Sequence, residues 1–243
     1  MKNRIFKRTI ILLALLFLQS AIYAQVESAQ IGAEFKEVSA NAGRQIQGIQ
    51  TYNSGEVKGS QFFFPTWTGG SVTTINNEVI SNNYSFLYDK VRQQLFMKWK
   101  DSSIVLQAEK DQITGFTLNT DKVHSFVSAA VYIPTDNTNF FEVLDSSRKG
   151  YSLLKLVRAT FVKADPTDML RMREGDVYDK FVDDISYYIS YNNGLPRKIA
   201  FKEKSIQKAF PSVSEKIAEY YNQKENKNMD DNFLIGLIQA LNN

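Results

Sequence analysis

The sequence has no cysteine and a single histidine, His124. The first absence removes disulfides, thiolate nucleophiles and cysteine-ligated metals together. The second leaves zinc, which draws on several His or Cys ligands, without its donors. A Ser-His-Asp triad would have to run through His124, but that residue lies in the strand-like run Val123 to Val127 with no nucleophile motif beside it. The sequence therefore reads it as an exposed or hydrogen-bonded structural histidine. There is no internal repeat, no low-complexity tract and no proline-rich linker, and neither a glycine-rich phosphate loop nor a dinucleotide fingerprint is present.

Long apolar runs are also scarce. One, Ile10 to Leu18, follows Lys2, Arg4, Lys7 and Arg8 and precedes Ala21-Ile22-Tyr23-Ala24. That order of basic, apolar and small residues is a secretory signal peptide, placed over residues 1–24, with the mature chain expected to start near Gln25. The run is well short of the roughly 20 residues that span a bilayer, and no cysteine follows it to carry a lipid. No second run is long enough to cross a membrane. The peptide also accounts for the basic charge. Four of the 29 Lys and Arg and none of the 26 Asp and Glu lie in residues 1–24, so 25 bases face 26 acids in the remainder. Nucleic-acid binding wants a basic face, and this balance gives none. An exported chain without disulfides has to be held by its own core, and the length allows a sizeable one.

What the sequence has in abundance is β texture and aromatic rings, with 17 Phe and 12 Tyr but 2 Trp. Residues 25–58 read as an irregular or helical lead-in. From Gly59 to Phe201 short runs alternate with turns. Val72–Ile75 and Glu78–Ile80 flank Asn76-Asn77, a tight hairpin signal. Leu95, Met97 and Trp99 alternate with Gln94, Phe96 and Lys98. Leu153 to Lys163 is one long β-rich run, and Ser186 to Tyr191 alternates before the turn Asn192-Asn193-Gly194. Many short strands at close spacing predict a mainly β (α+β) chain, an antiparallel sandwich or partly open barrel over residues 59–201.

After Phe201 the period changes. Ser205–Phe210 and Ser212–Gln223 read as helices, the second with Val213, Ile217, Tyr220 and Tyr221 on one face. Asn228 is the expected cap of a last helix, with Asp230 and Asp231 in its first turn. Phe233, Leu234, Leu237, Ile238 and Leu241 form its apolar stripe. Residues 202–243 are thus expected to be helices packed on the β domain, with a docking of the last one on a partner as the alternative.

The order of several motifs resembles a family of secreted proteins of Bacteroidota-type bacteria. These are Gly59-Ser60-Gln61-Phe62-Phe63-Phe64, Trp67 and Gly70, the Tyr88-Asp89 hairpin, Ile113-Thr114-Gly115-Phe116-Thr117-Leu118, Phe140-Phe141-Glu142-Val143-Leu144, the Tyr151 to Val162 strand, and Leu195-Pro196-Arg197-Lys198-Ile199. The resemblance spans roughly residues 59–243. It implies an extracytoplasmic location and a β domain with a helical tail; it implies no activity, cofactor or catalytic residue.

Candidate chemistry is thin. Glycosidases need two carboxylates at a set separation, and Glu142, Glu174, Asp183 and Asp184 are candidates, although Asp183-Asp184 also reads as a pair of solvated turn acids. Asp136, Asn137 and Asn139 form an oxygen-rich loop without the spacing of a calcium loop, which reads as a polar turn. Trp67 and Trp99 are the candidate ligand-stacking aromatics, with core filling as the competing reading. These observations lead to an exported, non-catalytic binding or interaction protein of the bacterial envelope, periplasmic or associated with the outer membrane. Its expected partner is an envelope protein or a glycan, with no cofactor, no metal and no nucleic acid. The alternative is a carboxylate-based, glycosidase-like hydrolase acting on envelope or dietary glycan.

Overall fold

The structure, a computed structural model, describes residues 42–52, 57–100, 102–147, 149–164, 178–224 and 230–243. The signal-peptide reading, Glu174 and Asn228 lie outside them. In chain order the strands are β1 (Gly43–Ile46), β2 (Val57–Lys58), β3 (Gly69–Thr74), β4 (Val79–Ile80), β5 (Tyr84–Asp89), β6 (Gln94–Trp99), β7 (Val105–Ala108), β8 (Ile113–Asn119), β9 (Val123–Ser128), β10 (Phe140–Asp145), β11 (Tyr151–Val162), β12 (Asp179–Tyr191) and β13 (Arg197–Ile199). Among the described residues three α-helices follow the strands: α1 (Glu203–Ala209), α2 (Ser214–Gln223) and α3 (Asp231–Asn242). Among the described residues the chain is mainly β, with no closed barrel.

The strands form two sheets. A small one runs β1-β7-β6-β5, and a large one runs β13-β12-β11-β10-β9-β8-β3-β4, with β2 added on β12. Every pairing is antiparallel except β2 with β12. The predicted hairpin at Asn76-Asn77 joins β3 to β4, and Asn77 takes a positive φ of 62° that an asparagine tolerates. Among the described residues no helix is long and apolar enough to cross a membrane.

Several elements differ from the sequence reading. Residues 43–46, expected in an irregular or helical lead-in, form β1 on the edge of β7. Gly43 makes that pairing close, since a Cβ there would stand 2.6 Å from the Gln107 carbonyl oxygen. Asp183 and Asp184 are not turn acids. They lie inside β12, which begins at Asp179 because β11 pairs with it continuously from Tyr151↔Tyr191 to Val162↔Lys180. A ladder of that length carries charged residues that an isolated alternation pattern would end on.

One cross-strand row explains how the molecule is layered. The registers place Val72, Phe116, Phe126, Glu142, Lys155, Tyr187 and Ile199 side by side across seven strands, and residues directly opposite one another share a face. The small sheet covers the start of this face. Tyr88, Met97 and Leu106 from it meet Phe116, Phe126 and Phe140 in an aromatic core, where Phe116 stacks on Phe126 at 4.5 Å. The helices cover the far end, burying Phe233, Leu234, Leu237, Ile238 and Leu241 against Tyr151, Leu153, Tyr187 and Ile189. Between the two covers the row turns polar at Glu142 and Lys155.

The last helix starts differently from its expected form. Its cap is Asp230, whose carboxylate accepts from the Phe233 N–H at 2.8 Å. Inside α3, Gly236 is needed for closeness rather than flexibility, because a Cβ there would meet the Tyr220 hydroxyl at 2.3 Å. That hydroxyl donates to the Phe233 carbonyl. Gly236→Ala is therefore expected to destabilise the fold by about 1–3 kcal/mol through overpacking, despite alanine's better helix propensity. Urea denaturation measures this, and a stabilised variant would mean that Tyr220 swings away freely.

Candidate functional site

Two places concentrate functional groups. The first is the polar seam between the two covers. Glu142 on β10 is buried and His124 on β9 partly so, and the His124 Nδ1 lies 2.7 Å from the Glu142 Oε1. Phe63 and Phe64 close over the imidazole edge-on, at 5.5 and 5.1 Å between ring centres. Next to this pair, Asp231 in the first turn of α3 accepts from Lys155 Nζ at 2.7 Å and from the Tyr187 hydroxyl at 2.5 Å. Burial pushes the Tyr187 phenol up, and the hydrogen bond to Asp231 and the charges of Asp231 and Glu142 push it further. For Asp231, burial works to raise the carboxyl, but the bonds from Lys155 and Tyr187 outweigh it and hold it below its usual value.

The seam is a latch between sheet and helix. Because the folded-state pKa of Asp231 is depressed, its contribution is present above the unfolded value and is lost as pH falls through the folded one. Stability is therefore expected to drop below about pH 4, with Asp231→Asn removing that part of the acid dependence. The substitution itself should cost about 1–2 kcal/mol at neutral pH, since Asp231 is partly solvated. Melting temperatures of both proteins at pH 3–7 check this; parallel curves would remove Asp231 from the latch.

The second place is an open groove of about 930 Å3 where β11 begins at Tyr151 and β12 ends at Tyr191. Lys149, Tyr151, Tyr191, Leu195, Arg197 and Phe210 are among its lining residues. Its walls are fixed. Asn192 and Asn193 both take positive φ, 50° and 55°, in the turn after β12. The Gly194 N–H closes that turn on the Tyr191 carbonyl at 2.9 Å, and the Asn192 N–H ties it to the Gly150 carbonyl at 2.8 Å. From α3, the Asn242 side chain accepts from the Tyr151 N–H at 2.7 Å and donates to the Tyr151 carbonyl at 2.9 Å, as a neighbouring strand would. Tyr191 is 51% and Leu195 66% exposed. Tyr191 leans on Tyr151 at 4.7 Å, and Tyr151 meets the edge of Phe210 at 5.7 Å.

The residues singled out from sequence fall elsewhere. Trp99 is in the core with its ring edge on Tyr84 at 5.1 Å, so it has no free face for a ligand. Trp67 is half-buried, and the Lys98 ammonium sits 5.0 Å from its ring centre. Core filling is what the geometry gives for Trp99. Glu142, Asp183 and Asp184, the candidate acids among the described residues, are not brought together; Asp184 lines a small cavity with Asp136. Glu142 is held by His124, while Asp183 receives Lys90 Nζ at 2.6 and 2.8 Å. Asp183 stands four residues along β12 from Tyr187, about 13 Å of strand, and its neighbour Asp184 points to the opposite face. Asp136 spends its carboxylate on the Thr138 N–H and hydroxyl and on Asn139 Nδ2, a self-contained polar turn. Burial acts to raise the Asp136 carboxyl and these bonds overcome it, leaving it low.

Sequence reasoning missed Tyr191 and Arg197 as groove residues. The alternation around Tyr191 was visible, but its exposure depends on where α1 and α3 end. No family model, no curated protein and no solved structure matches this chain.

Proposed function

We propose that the chain is an exported, non-catalytic binding or interaction protein of the bacterial envelope, and that the groove beside Tyr191 is where it takes its ligand. The groove carries the reading: exposed aromatic and aliphatic side chains stand on walls fixed by hydrogen bonds, which is what a preformed binding site requires. The order of charges and apolar residues in residues 1–24 supports export, as does the resemblance to secreted proteins. Of the candidate acids among the described residues, Glu142 is committed to His124 and Asp183 to Lys90.

The purified protein, incubated with model ester, peptide and glycoside substrates, is expected to give no turnover. Turnover abolished by Glu142→Gln or Asp183→Asn would replace this reading with a carboxylate hydrolase. Export has its own test. Amino-terminal sequencing of protein recovered from the envelope fraction should begin near Gln25, and an intact Met1 in the cytoplasmic fraction would overturn it.

A further inference from the structure

We infer that the Tyr191 groove binds an acidic saccharide, with the ring faces taking the sugar and two cations taking its carboxylates. This rests on the groove being a binding site, as proposed above. Among the described residues the lining contains Lys149 and Arg197 and no Asp or Glu. In a chain whose remainder beyond residue 24 has 26 acids against 25 bases, a groove with cations alone sets a local positive potential that selects anions. Among the described residues neither cation has a carboxylate within ion-pair distance. Arg197 is nonetheless held in place, since one guanidinium nitrogen donates to the Ala209 carbonyl and the group lies 5.5 Å from the Phe210 ring centre. An oriented guanidinium with remaining N–H groups suits a planar carboxylate.

The rings decide between kinds of anion. Tyr191 is half-exposed and backed by Tyr151, which leaves one flat, rigid face for the C–H side of a pyranose. A single acyl chain needs most of its surface enclosed to bind well, and this groove is open along its length. Ser212 in the lining adds a hydroxyl that can serve the hydroxyls of a sugar.

The test is calorimetric titration of the full exported chain with a tetragalacturonate, a neutral maltotetraose, decanoate and an acidic peptide, at low and moderate salt. The tetragalacturonate should bind at least about tenfold more tightly than maltotetraose, with the advantage shrinking as salt rises. Arg197→Gln should erase that advantage, Tyr191→Ala should abolish binding, and Tyr191→Phe should retain it, with melting temperatures unchanged. Equal binding of both sugars, or binding of decanoate or peptide instead, with sensitivity to Tyr191→Ala, would overturn the acidic-saccharide assignment while keeping the groove as a site. Absence of any binding sensitive to Tyr191→Ala would overturn both.

Discussion

Deleting residues 230–243 is expected to leave a chain without a cooperative unfolding transition. Helix α3 buries five large side chains, Phe233, Leu234, Leu237, Ile238 and Leu241. Each contributes about 1.5–3 kcal/mol on burial, an upper figure because unfolded chains already hide some apolar surface. The loss is of the same order as the whole stability of a typical domain, about 5–15 kcal/mol. It is compounded on the other side of the interface, where Leu153 and Ile189, both at 0% exposure, would face water. The same helix carries Asp231 to Lys155 and Tyr187, and Asn242 to the backbone of Tyr151, so polar groups on β11 and β12 are orphaned as well. A point substitution separates packing from truncation. Leu237→Ala, at a site with no exposure, should cost about 2–5 kcal/mol, or roughly 4–20 °C in melting temperature for a chain of this size. Gln239→Ala, on the outer face of the same helix, should stay within about 0.5 kcal/mol. A deletion variant that melts sharply near the parent temperature would make α3 an appendage, free to dock on a partner.

The apolar stripe that makes α3 indispensable was legible in the sequence, because helical periodicity is local. So were the Asn76-Asn77 hairpin and the Asn192-Asn193-Gly194 turn, whose residues accept positive φ. The division into two sheets was not legible. It depends on which strands pair across long separations, such as Gly43 with Ala108, and nothing in a run like Gly43–Ile46 announces a partner more than sixty residues away. The polar seam was invisible for the same reason. His124, Glu142, Lys155 and Asp231 are unremarkable in their own segments and become a unit only when register and helix docking bring them to one place. The binding groove depends on it too. Tyr191 read as one face of an alternating strand, and its partial exposure follows from the gap left between the turn after β12 and the end of α1. Charged residues inside β12 misled in the opposite direction, since Asp183 is tolerated there through its contact with Lys90, which arrives from the small sheet.

That contact belongs to a turn on which the joining of the two sheets depends, and Asp89→Asn is expected to cost about 2–4 kcal/mol. Asp89 has no exposure. One carboxylate oxygen accepts from the N–H groups of Val91 and Arg92 at 2.8 and 2.9 Å, an Asx-type closure of the β5–β6 turn. The other accepts from Gln61 Nε2 at 2.6 Å and Arg92 Nη1 at 2.8 Å. An amide placed there keeps the first set and turns an N–H2 toward two donors, leaving Arg92 uncompensated; because Arg92 is one-third exposed, water recovers part of the loss. The turn so shaped does the work of a missing strand. Beyond the start of β10 the edge of β11 has no ladder partner among the described residues, and there the Ala159 N–H donates to the Lys90 carbonyl at 3.3 Å while Gln93 Nε2 donates to the Val157 carbonyl at 2.8 Å. Gln93 in turn accepts the Tyr88 hydroxyl at 2.9 Å, and burial, reinforced by Asp89, pushes that phenol well up so that it stays a donor. Loosening the turn should therefore be felt on the other sheet. Hydrogen exchange at the Ala159 amide is expected to accelerate in Asp89→Asn far more than at the Leu154 amide, which sits inside the paired ladder. Lys90→Met should remove the link to Asp183 at lower cost, since Asp183 is 42% exposed and can be rehydrated. Uniform acceleration across β11 in Asp89→Asn would mean that the turn contributes to global stability alone; unchanged exchange at Ala159 would mean that the two sheets are held together by their aromatic core without it.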